Sequence, residues 1–259
     1  MKKVTAFVGT ASRKHTYKAV RRFLDKLKAL GDVETEIVGL GDFQVETCRA
    51  CKLCMEKGED VCPLKDDRDV LIAKMMASDG VVFASPNLSW HVSGMMKVFL
   101  DRLAFVFHRP RFFGKVFTSI TAQGIWGGQK IERYFDFVGK GLGFNTVMGI
   151  YFTALDPMEA SEEKKMDLAL ERQSRQFHKK LMGPVYPSPS LFWLMAFRSG
   201  RTKMRLELDE RSLDYRYYRD KGWFESDYFY PVRLNPAKKL AGDFFDSRQT
   251  RLTKKRHSL

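Results

Sequence analysis

The sequence has no long apolar run. No stretch approaches the roughly 20 apolar residues that a membrane-spanning helix needs, and Met1-Lys2-Lys3 leads straight into a short strand-like segment. We therefore expect no membrane span, no secretory leader and a cytoplasmic location.

Two common phosphate-binding motifs are also missing. The loop after the first predicted strand, residues 9–16, contains neither the Gly-x-x-x-x-Gly-Lys-Ser/Thr sequence of P-loop proteins nor the Gly-x-Gly-x-x-Gly fingerprint of dinucleotide-binding folds. No Ser-His-Asp set and no pair of carboxylates stands out for acid–base chemistry. These absences argue against P-loop nucleotide hydrolases, dehydrogenases of the dinucleotide-fingerprint type and serine hydrolases. They fit chemistry that a cofactor performs.

Cysteine is scarce, and all four cysteines fall between Cys48 and Cys62. In a reducing compartment such clustering favours a metal or redox site over structural disulfides. In the spacing Cys48-x2-Cys51-x2-Cys54-x7-Cys62, three thiolates can hold one face of a cubane iron–sulfur cluster and a fourth can close it. Zinc and free or redox-active thiols stay open as alternatives, although zinc sites usually pair two close cysteines with a distant second pair.

Positive charge is in excess. The net charge is +14, and residues 161–259 carry +9 of it. A surface of this kind can attract nucleic acid, anionic lipid, an acidic protein or a phosphorylated cofactor, or can serve solubility alone. The basic C-terminal stretch supports a nucleic-acid or anionic-membrane binder as one hypothesis, but charge runs are usually solvated faces, so we expect no nucleic-acid partner.

Five strand-then-helix units fit residues 1–182. Short β-branched or apolar runs predict strands at residues 4–8, 36–40, 81–84, 115–120 and 146–152. Helical spacing predicts helices presenting residues 20–27, 67–78, 92–103, 131–138 and 161–182. We expect Pro86 to end the third strand. Alternating elements with short connections predict a doubly wound parallel α/β sheet, whose ligands bind beyond the carboxyl ends of the strands.

Three loops would meet at that edge. Residues 9–16 offer hydroxyls, cations and the N–H groups of a helix start, which together suit a terminal phosphate. Residues 85–94 supply a rigid backbone and an aromatic ring, and residues 121–128 supply Gln123 and three glycines that let the backbone approach a flat ring. A slot with a phosphate at one end and a planar ring at the other matches flavin mononucleotide (FMN).

These motifs resemble those of the NADPH-dependent FMN reductase family, which has a flavodoxin-like fold. The resemblance covers residues 1 to about 182 and is carried by residues 9–16, 85–87 with 97–103, 108–115 and 121–128. It implies a five-stranded parallel sheet of order 2-1-3-4-5. It also implies that Ser12, Arg13, Lys14 and Thr16 hold the FMN phosphate, that Pro86, Asn87, Leu88 and Trp90 line the isoalloxazine, and that Thr121, Gln123 and Gly124 contact its polar edge. Family members often have Asn-Thr in place of His15-Thr16 and an aromatic residue in place of Leu88.

The cysteine spacing resembles that of iron-sulfur flavoproteins, a branch of this family that adds a [4Fe-4S] cluster to FMN. This implies Cys48, Cys51, Cys54 and Cys62 as cluster ligands. The implied function is an FMN-dependent oxidoreductase that passes electrons from NAD(P)H to a quinone, a flavin or a protein acceptor, with no catalytic side chain because the flavin does the chemistry. The alternative is a non-catalytic FMN and iron–sulfur electron carrier partnered with a ferredoxin. The family implies a homodimer or homotetramer, and the basic surface suits an acidic, ferredoxin-like partner.

The alternating pattern ends at Pro184. We predict an FMN-binding domain at residues 1–183, followed by a basic, aromatic-rich C-terminal extension at residues 184–259 rather than a second domain. The aromatic residues of the extension are too many for a free tail, so we expect them to pack on the core, on a neighbouring subunit or over the active site. They include Trp193, Tyr215, Tyr217, Tyr218, Trp223, Phe224, Tyr228, Phe229 and Tyr230.

Overall fold

The structure, a computed structural model, describes residues 1–257 and divides into two compact units. Unit 1 comprises Met1–Arg49 and Leu64–Val185, and unit 2 comprises Ala50–Pro63 and the chain from Tyr186 onward. The last two residues of the predicted extension, 258 and 259, lie outside the described residues. The predicted boundary after residue 183 stays a prediction.

A largely parallel sheet forms the centre of unit 1. Its strands are β1 (Lys2–Val8), β2 (Val33–Gly39), β3 (Gly80–Leu88), β4 (His91–Val92), β5 (Val116–Gln123), β6 (Asn145–Thr146) and β7 (Ile150–Thr153). The spatial order is β2-β1-β3-β5-β6, with β7 also paired parallel to β5 and the short β4 antiparallel to β3. The α/β class with a doubly wound parallel sheet is thus confirmed.

Helices flank this sheet in the alternation that the sequence predicts. Those of unit 1 are α1 (His15–Lys28), α3 (Arg68–Met76), α4 (Gly94–Arg102), α5 (Ala104–His108), α6 (Gly128–Leu142) and α7 (Ala160–Leu181), and a 3₁₀ turn spans Leu40–Asp42. Their ends have local causes: Ser93 caps α4 by accepting from Met96 N–H, and α6 stops at Gly143, whose φ of +105° suits glycine. The capping box Glu159–Glu162 starts α7.

The two faces of the sheet have different cores. Alternate residues of each strand point to opposite faces. One face buries aliphatic side chains such as Val4 and Val82 against α1 and α7. On the other face Phe83 contacts the rings of Phe7, Phe99, Phe117 and Phe135, with centroids 5.0–6.1 Å apart. Strands β1, β3 and β5 therefore each carry an aliphatic and an aromatic side, which fixes their register.

Three expectations about element boundaries are wrong. Pro86 does not end the third strand, because it lies in β3 opposite Ala122 of β5. The pairing of β3 with β1 stops earlier, at Ala84. The N–H that proline lacks is therefore not needed for a hydrogen bond to β1. The fifth predicted strand is split into β6 and β7, because Gly149 lies so close to Ser119 that a Cβ would be 2.0 Å from Ser119 Oγ. Val92 lies in β4 rather than in the following helix.

Unit 2 is helical. It contains α2 (Leu53–Glu56), a 3₁₀ turn at Glu59–Val61, α8 (Leu191–Glu207), α9 (Leu213–Asp220) and α10 (Pro236–His257). Charged contacts join α8 to α10: Arg198 pairs with Asp243, and Arg201 bonds Asp246 at 2.9 Å. Arg198 also bonds Asp227, which precedes α10, at 3.0 Å. No helix in residues 1–257 has both the length and the apolar character to cross a membrane.

Candidate functional site

A cleft opens at the carboxyl ends of β1, β3 and β5, where a doubly wound sheet places its ligand sites. The residues that line it are Thr10, Ser12, Lys14, His15, Thr16, Pro86, Asn87, Ala122, Gln123, Gly124 and Ala154. Its volume is about 220 Å³, less than the ~300–1,000 Å³ of sites that enclose a whole drug-sized ligand. The cleft can therefore enclose one end of a mononucleotide.

The loop between β1 and α1 forms the polar end of this cleft. The N-cap residue of α1, Lys14, makes no side-chain capping hydrogen bond, and the first turn carries no acidic residue. Hydroxyls of the loop hold its backbone instead: Ser12 N–H donates to Thr10 Oγ1 at 3.1 Å, and Lys14 N–H donates to Ser12 Oγ at 3.3 Å. The uncapped N–H groups and the positive end of the helix favour an anion here.

A carboxylate lies against the cations of the same loop. Asp156 Oδ1 is 2.8 Å from His15 Nε2, and Asp156 Oδ2 is 3.6 Å from Lys14 Nζ. The hydrogen bond from His15 and the charge of Lys14 lower the pKa of Asp156 below its usual value. A phosphate entering the cleft would compete with Asp156 for these two side chains.

The segments that follow β3 and β5 are tied together. Asn87 Nδ2 donates to Trp126 O at 2.8 Å, and Gly128 N–H donates to Gln123 Oε1 at 2.7 Å. A Cβ at Gly128 would lie 2.6 Å from Tyr151 Cβ, so only glycine lets the chain pass there. Loops that are distant in sequence thus form one wall of the cleft.

Large apolar side chains on these two loops are exposed. The exposed fractions are 55% for Leu88, 50% for Trp90, 80% for Ile125 and 67% for Trp126. The two indole rings meet edge to face with centroids 5.8 Å apart. Ser89 and Trp90 have φ values of 50° and 63°, a left-handed conformation that is rare outside glycine and clusters at functional sites. A planar ligand or another chain would bury this surface.

The structure brings together seven of the eleven residues that the sequence assigned to FMN, namely Ser12, Lys14, Thr16, Pro86, Asn87, Gln123 and Gly124. Arg13, Leu88, Trp90 and Thr121 do not line the cleft. Arg13 lies over the Tyr17 ring, and Thr121 is fully buried in β5. Leu88 and Trp90 lie on the exposed apolar surface beside it. All eleven binding roles stay predictions.

Four lining residues were not assigned from the sequence: Thr10, His15, Ala122 and Ala154. Ala154 comes directly after β7, and Asp156 follows two residues later. A fifth parallel strand ends at the same edge of the sheet as the others. The residues that follow it could therefore have been predicted from the sequence to line the cleft.

The polar atoms of the cleft fit FMN. Asn87 lines the cleft, and its Oδ1 is buried and makes no hydrogen bond in the structure. Buried polar atoms nearly always have a partner, so this amide oxygen suits a donor that a bound ligand would bring. An anion-binding end, an unsatisfied polar atom and an exposed apolar surface match the phosphate, the heteroatoms and the planar ring of FMN.

The four cysteines lie in both units. Cys48 belongs to unit 1, whereas Cys51, Cys54 and Cys62 belong to unit 2. No disulfide joins them, and Cys51 is exposed while the other three are partly exposed. Within residues 1–257, no group of three or more His, Cys, Asp or Glu side chains is placed to hold a metal ion.

The backbone around Cys51 is strained. Its two neighbours, Ala50 and Lys52, have φ values of 52° and 60°, in the left-handed region that costs a non-glycine residue about 1–2 kcal/mol. Strain of this kind persists where the surroundings enforce it, often at functional sites. A donor set of thiols is one that iron–sulfur clusters and zinc prefer, so the residues present fit such a group by their chemistry.

Comparison with known proteins identifies the first part of the chain. The family model described as NADPH-dependent FMN reductase matches residues 2–155. An iron-sulfur flavoprotein of Archaeoglobus fulgidus is 31% identical over 160 residues, which cover 60% of this chain and 72% of that protein. One of Methanocaldococcus jannaschii is 36% identical over 83 residues, which cover 32% of this chain and 42% of that protein. The chain thus spans less than half the length of this second relative.

Two solved structures share the fold. The NAD(P)H:quinone oxidoreductase from Methanothermobacter marburgensis has a TM-score of 0.53 and 17% identity, over 67% of this chain and 98% of that one. RosB, solved with bound 8-demethyl-8-formylriboflavin-5'-phosphate, has a TM-score of 0.54 and 16% identity, over 91% of this chain and 92% of that one. At such identities the likeness concerns the fold alone.

Proposed function

We propose the following function for this chain, which belongs to the NADPH-dependent FMN reductase family: it binds FMN in the cleft of unit 1 and acts as an NAD(P)H oxidoreductase. One observation carries the proposal. Three loops that follow separate strands meet in a single cleft, with an uncapped helix start at its polar end and exposed apolar rings beside it.

The phosphate would be held by the loop between β1 and α1. Ser12 and Thr16 supply hydroxyls, and the first-turn N–H groups of α1 supply further donors. Lys14 adds a positive charge, which strengthens a hydrogen bond to phosphate relative to a neutral donor. Arg13 is exposed on the same loop and would add long-range attraction.

The ring would lie toward the loops after β3 and β5. Asn87 joins the two loops through its bond to Trp126 O, and Gln123 closes the second loop by accepting from Gly128 N–H. Both would orient the polar edge of the ring. Trp90 and Trp126 would shield its face from water. FMN, when bound, supplies the redox chemistry by accepting hydride from NAD(P)H and passing electrons to a quinone, a flavin or a protein.

We further propose that Cys48, Cys51, Cys54 and Cys62 hold a [4Fe-4S] cluster. The support is the donor set itself, the strained backbone on both sides of Cys51 and the similarity to proteins named iron-sulfur flavoproteins. In that arrangement the thiolates of the chain are the ligands, and the cluster would exchange single electrons with an acidic, ferredoxin-like protein. Metal analysis after anaerobic purification tests this: about four irons per chain support it, whereas zinc or no metal refutes it.

The partners and the location belong to the same proposal. The exposed apolar residues Leu88, Trp90, Ile125 and Trp126 support a homodimer or homotetramer that buries them. A net charge of +14 supports an acidic electron carrier as the protein partner. The clustering of all four cysteines supports a cytoplasmic location, because in a reducing compartment such clusters serve metal or redox sites.

The decisive experiment is steady-state oxidation of NADH and NADPH by the FMN-loaded protein, with a quinone or free flavin as acceptor. We expect turnover with at least one nicotinamide. Bound FMN without turnover would instead indicate the non-catalytic electron carrier, and a protein that takes up no FMN would refute both.

A matched pair of variants ties the activity to the cleft. Lys14→Ala removes a cation that lines it, and Lys28→Ala removes the same charge from the other end of α1. We expect Lys14→Ala to weaken FMN binding about tenfold, the loss of one partly solvated charge-assisted bond, and Lys28→Ala to leave it unchanged.

A further inference from the structure

We propose that α9, in the C-terminal part of unit 2, holds the cysteine segment (residues 50–63) in its strained conformation and limits solvent access to its thiols. The proposal gives the C-terminal part of the chain a task in the cysteine site. It rests on the proposed function only in taking these thiols as cluster ligands.

The cysteine segment is too small to hold itself. Its regular structure is one four-residue helix, α2, and one 3₁₀ turn, and neither contains a buried residue. Isolated helices shorter than about 12 residues are marginal in water. Within residues 50–63, only Gly58 is buried. Packing by the rest of unit 2 therefore contributes to the order of this segment.

Helix α9 supplies that packing. The segment belongs to the same compact unit as the chain from Tyr186 onward, and α2 contacts α9. A Cβ built on Gly58 would lie 3.6 Å from Leu213 Cδ2, so the first residue of α9 lies directly against the buried turn between Cys54 and Cys62. Gly58 has a φ of +116°, which excludes other residues without strain.

The support itself is firmly anchored. Ser212 caps α9 by accepting from Tyr215 N–H, and Tyr218 is 5% exposed. Trp223 follows the helix, packs edge to face on Tyr218 with centroids 4.8 Å apart, and donates from Nε1 to Phe229 O at 3.0 Å. Helix α9 is thus part of the aromatic core of unit 2. Because this core holds α9 in place, α9 can stabilise the cysteine segment that packs against it.

The backbone on both sides of Cys51 is strained. Ala50 and Lys52 hold left-handed backbone on either side of Cys51. Such a conformation relaxes when its surroundings no longer enforce it. Loosening the contact at Leu213 should therefore increase local opening of the cysteine segment, and the reactivity of its thiols should follow that opening.

The first test uses metal-free full-length protein. N-ethylmaleimide modification of each cysteine is followed over time by peptide mass spectrometry in wild type, Leu213→Asp and Leu240→Asp. Leu240 is 73% exposed on α10, so it receives the same change without losing packing. We expect Leu213→Asp to raise the rates at Cys54 and Cys62 about tenfold and Leu240→Asp to leave them unchanged. Cys48, in unit 1, is the internal reference.

Rescue and folding controls make the result specific. Leu213→Met keeps an apolar side chain of similar volume and should restore wild-type rates at Cys54 and Cys62. Should Leu213→Asp fail to fold, judged by loss of helical circular dichroism, Leu213→Ala is used instead and should give a smaller rise in the same two rates. Equal rates in wild type and the Leu213 variants, or a rise that Leu240→Asp reproduces, would overturn the proposal.

The second test separates this proposal from the cluster assignment. Wild type and Leu213→Asp are reconstituted with iron and sulfide, and the release of iron to a chelator is timed. Faster release from Leu213→Asp, by about tenfold, supports the proposal. Release at the same rate in both overturns it for the loaded protein. If wild type assembles no cluster, the cluster assignment fails and the alkylation rates alone decide the role of α9.

Discussion

The two units differ in what holds them together. Unit 1 buries aliphatic and aromatic side chains on both faces of a parallel sheet, and Phe83 alone contacts four other rings. Unit 2 has no strand among its described residues. It has an aromatic cluster around Trp223, and Arg198 and Arg201 of α8 pair with three aspartates, two on α10 and one before it. Those aspartates, Asp227, Asp243 and Asp246, are partly exposed, with side-chain exposures of 22–59%.

This difference has consequences for stability and for function. A buried apolar core loses several kcal/mol when a large side chain is removed, whereas half-solvated ion pairs contribute less. The cleft proposed for FMN lies entirely in unit 1, and three of the four cysteines lie in unit 2, where such ion pairs join α8 to α10. We therefore expect the cleft proposed for FMN to be the more rigid of the two sites, and the cysteine segment, with Gly58 as its one buried residue, to open more easily where α9 does not hold it.

The largest expected effect comes from the aromatic face of unit 1. Phe83→Ala should lower the free energy of unfolding of unit 1 by about 3–5 kcal/mol, because a fully buried ring is replaced by a cavity. Urea unfolding followed by FMN fluorescence measures this. Phe137→Ala, at a 56% exposed ring of α6, is the control and should have little effect. A loss below 1 kcal/mol for Phe83→Ala would mean that the aromatic face does not stabilise the sheet.

A smaller effect is expected in unit 2. Arg198→Met removes the cation from Asp227 and Asp243 but keeps much of the side-chain volume. We expect a loss of about 1–3 kcal/mol, since the carboxylates can be solvated by water when the cation is gone. Hydrogen exchange of α8 and α10 amides reports it. If the amide exchange of α8 and α10 is unchanged, or if the loss of stability is as large as that of Phe83→Ala, the two units do not differ in the way described.

At the cleft, Asn87→Leu should weaken FMN binding about tenfold without unfolding unit 1. The change removes the Nδ2 bond to Trp126 O and the unpartnered Oδ1, and a tenfold loss corresponds to ~1.4 kcal/mol. Asn145→Leu, whose amide bonds Val185 O far along the chain, is the matched control. Unaltered affinity in Asn87→Leu would separate this amide from the FMN site.

The smallest effect is a dependence of unit 1 on acid pH. The Asp66 side chain is 2% exposed beside Arg102. Burial alone would raise its pKa, but N–H groups of Glu46 and Arg68 and the Arg102 guanidinium lower the pKa below the usual value. Because the folded-state pKa is the lower one, this carboxyl stabilises the fold above the unfolded pKa of about 4, and the contribution is lost as pH falls through the folded value.

The measurement for this carboxyl is the free energy of unfolding between neutral and acid pH. Wild type should lose stability below about pH 4. Asp66→Asn should have a lower free energy of unfolding at neutral pH, and that free energy should change less as the pH falls. Asp32→Asn, at a 79% exposed side chain, should follow wild type. Parallel curves for wild type and Asp66→Asn would show that Asp66 gives no pH dependence.

Much of unit 1 was readable from the sequence because its signals are local. Phe23 and Leu27 recur at helical spacing and are buried in α1, and the run around Val82 is a buried strand. The prediction that Pro86 ends its strand was wrong because the effect of a proline depends on whether a neighbouring strand needs a hydrogen-bond donor at that position. That neighbouring strand is distant in sequence. The split at Gly149 arises from Ser119 in another strand, so no local pattern marks it.

The packing of unit 2 was not readable in this way. Helix α10 carries apolar side chains such as Leu240, Phe244 and Leu252 that stay exposed, while Arg198 and Arg201 are buried in α8, so burial does not follow hydrophobicity. The association of residues 50–63 with the chain beyond Tyr186 is a long-range contact. At the cleft, Ser12, Asn87 and Gln123 were placed at the right edge by topology, but the pairing of His15 with Asp156 requires knowing where β7 ends.

The central claim is that the uncapped start of α1 in unit 1 binds the phosphate of a flavin. The most direct measurement is a fluorescence titration of flavin-free protein with FMN and, separately, with riboflavin, which lacks the phosphate. We predict that FMN binds at least about 100-fold more tightly, because two or more charge-assisted hydrogen bonds distinguish the two ligands. Equal affinity for both flavins, or no binding of either, would contradict the account.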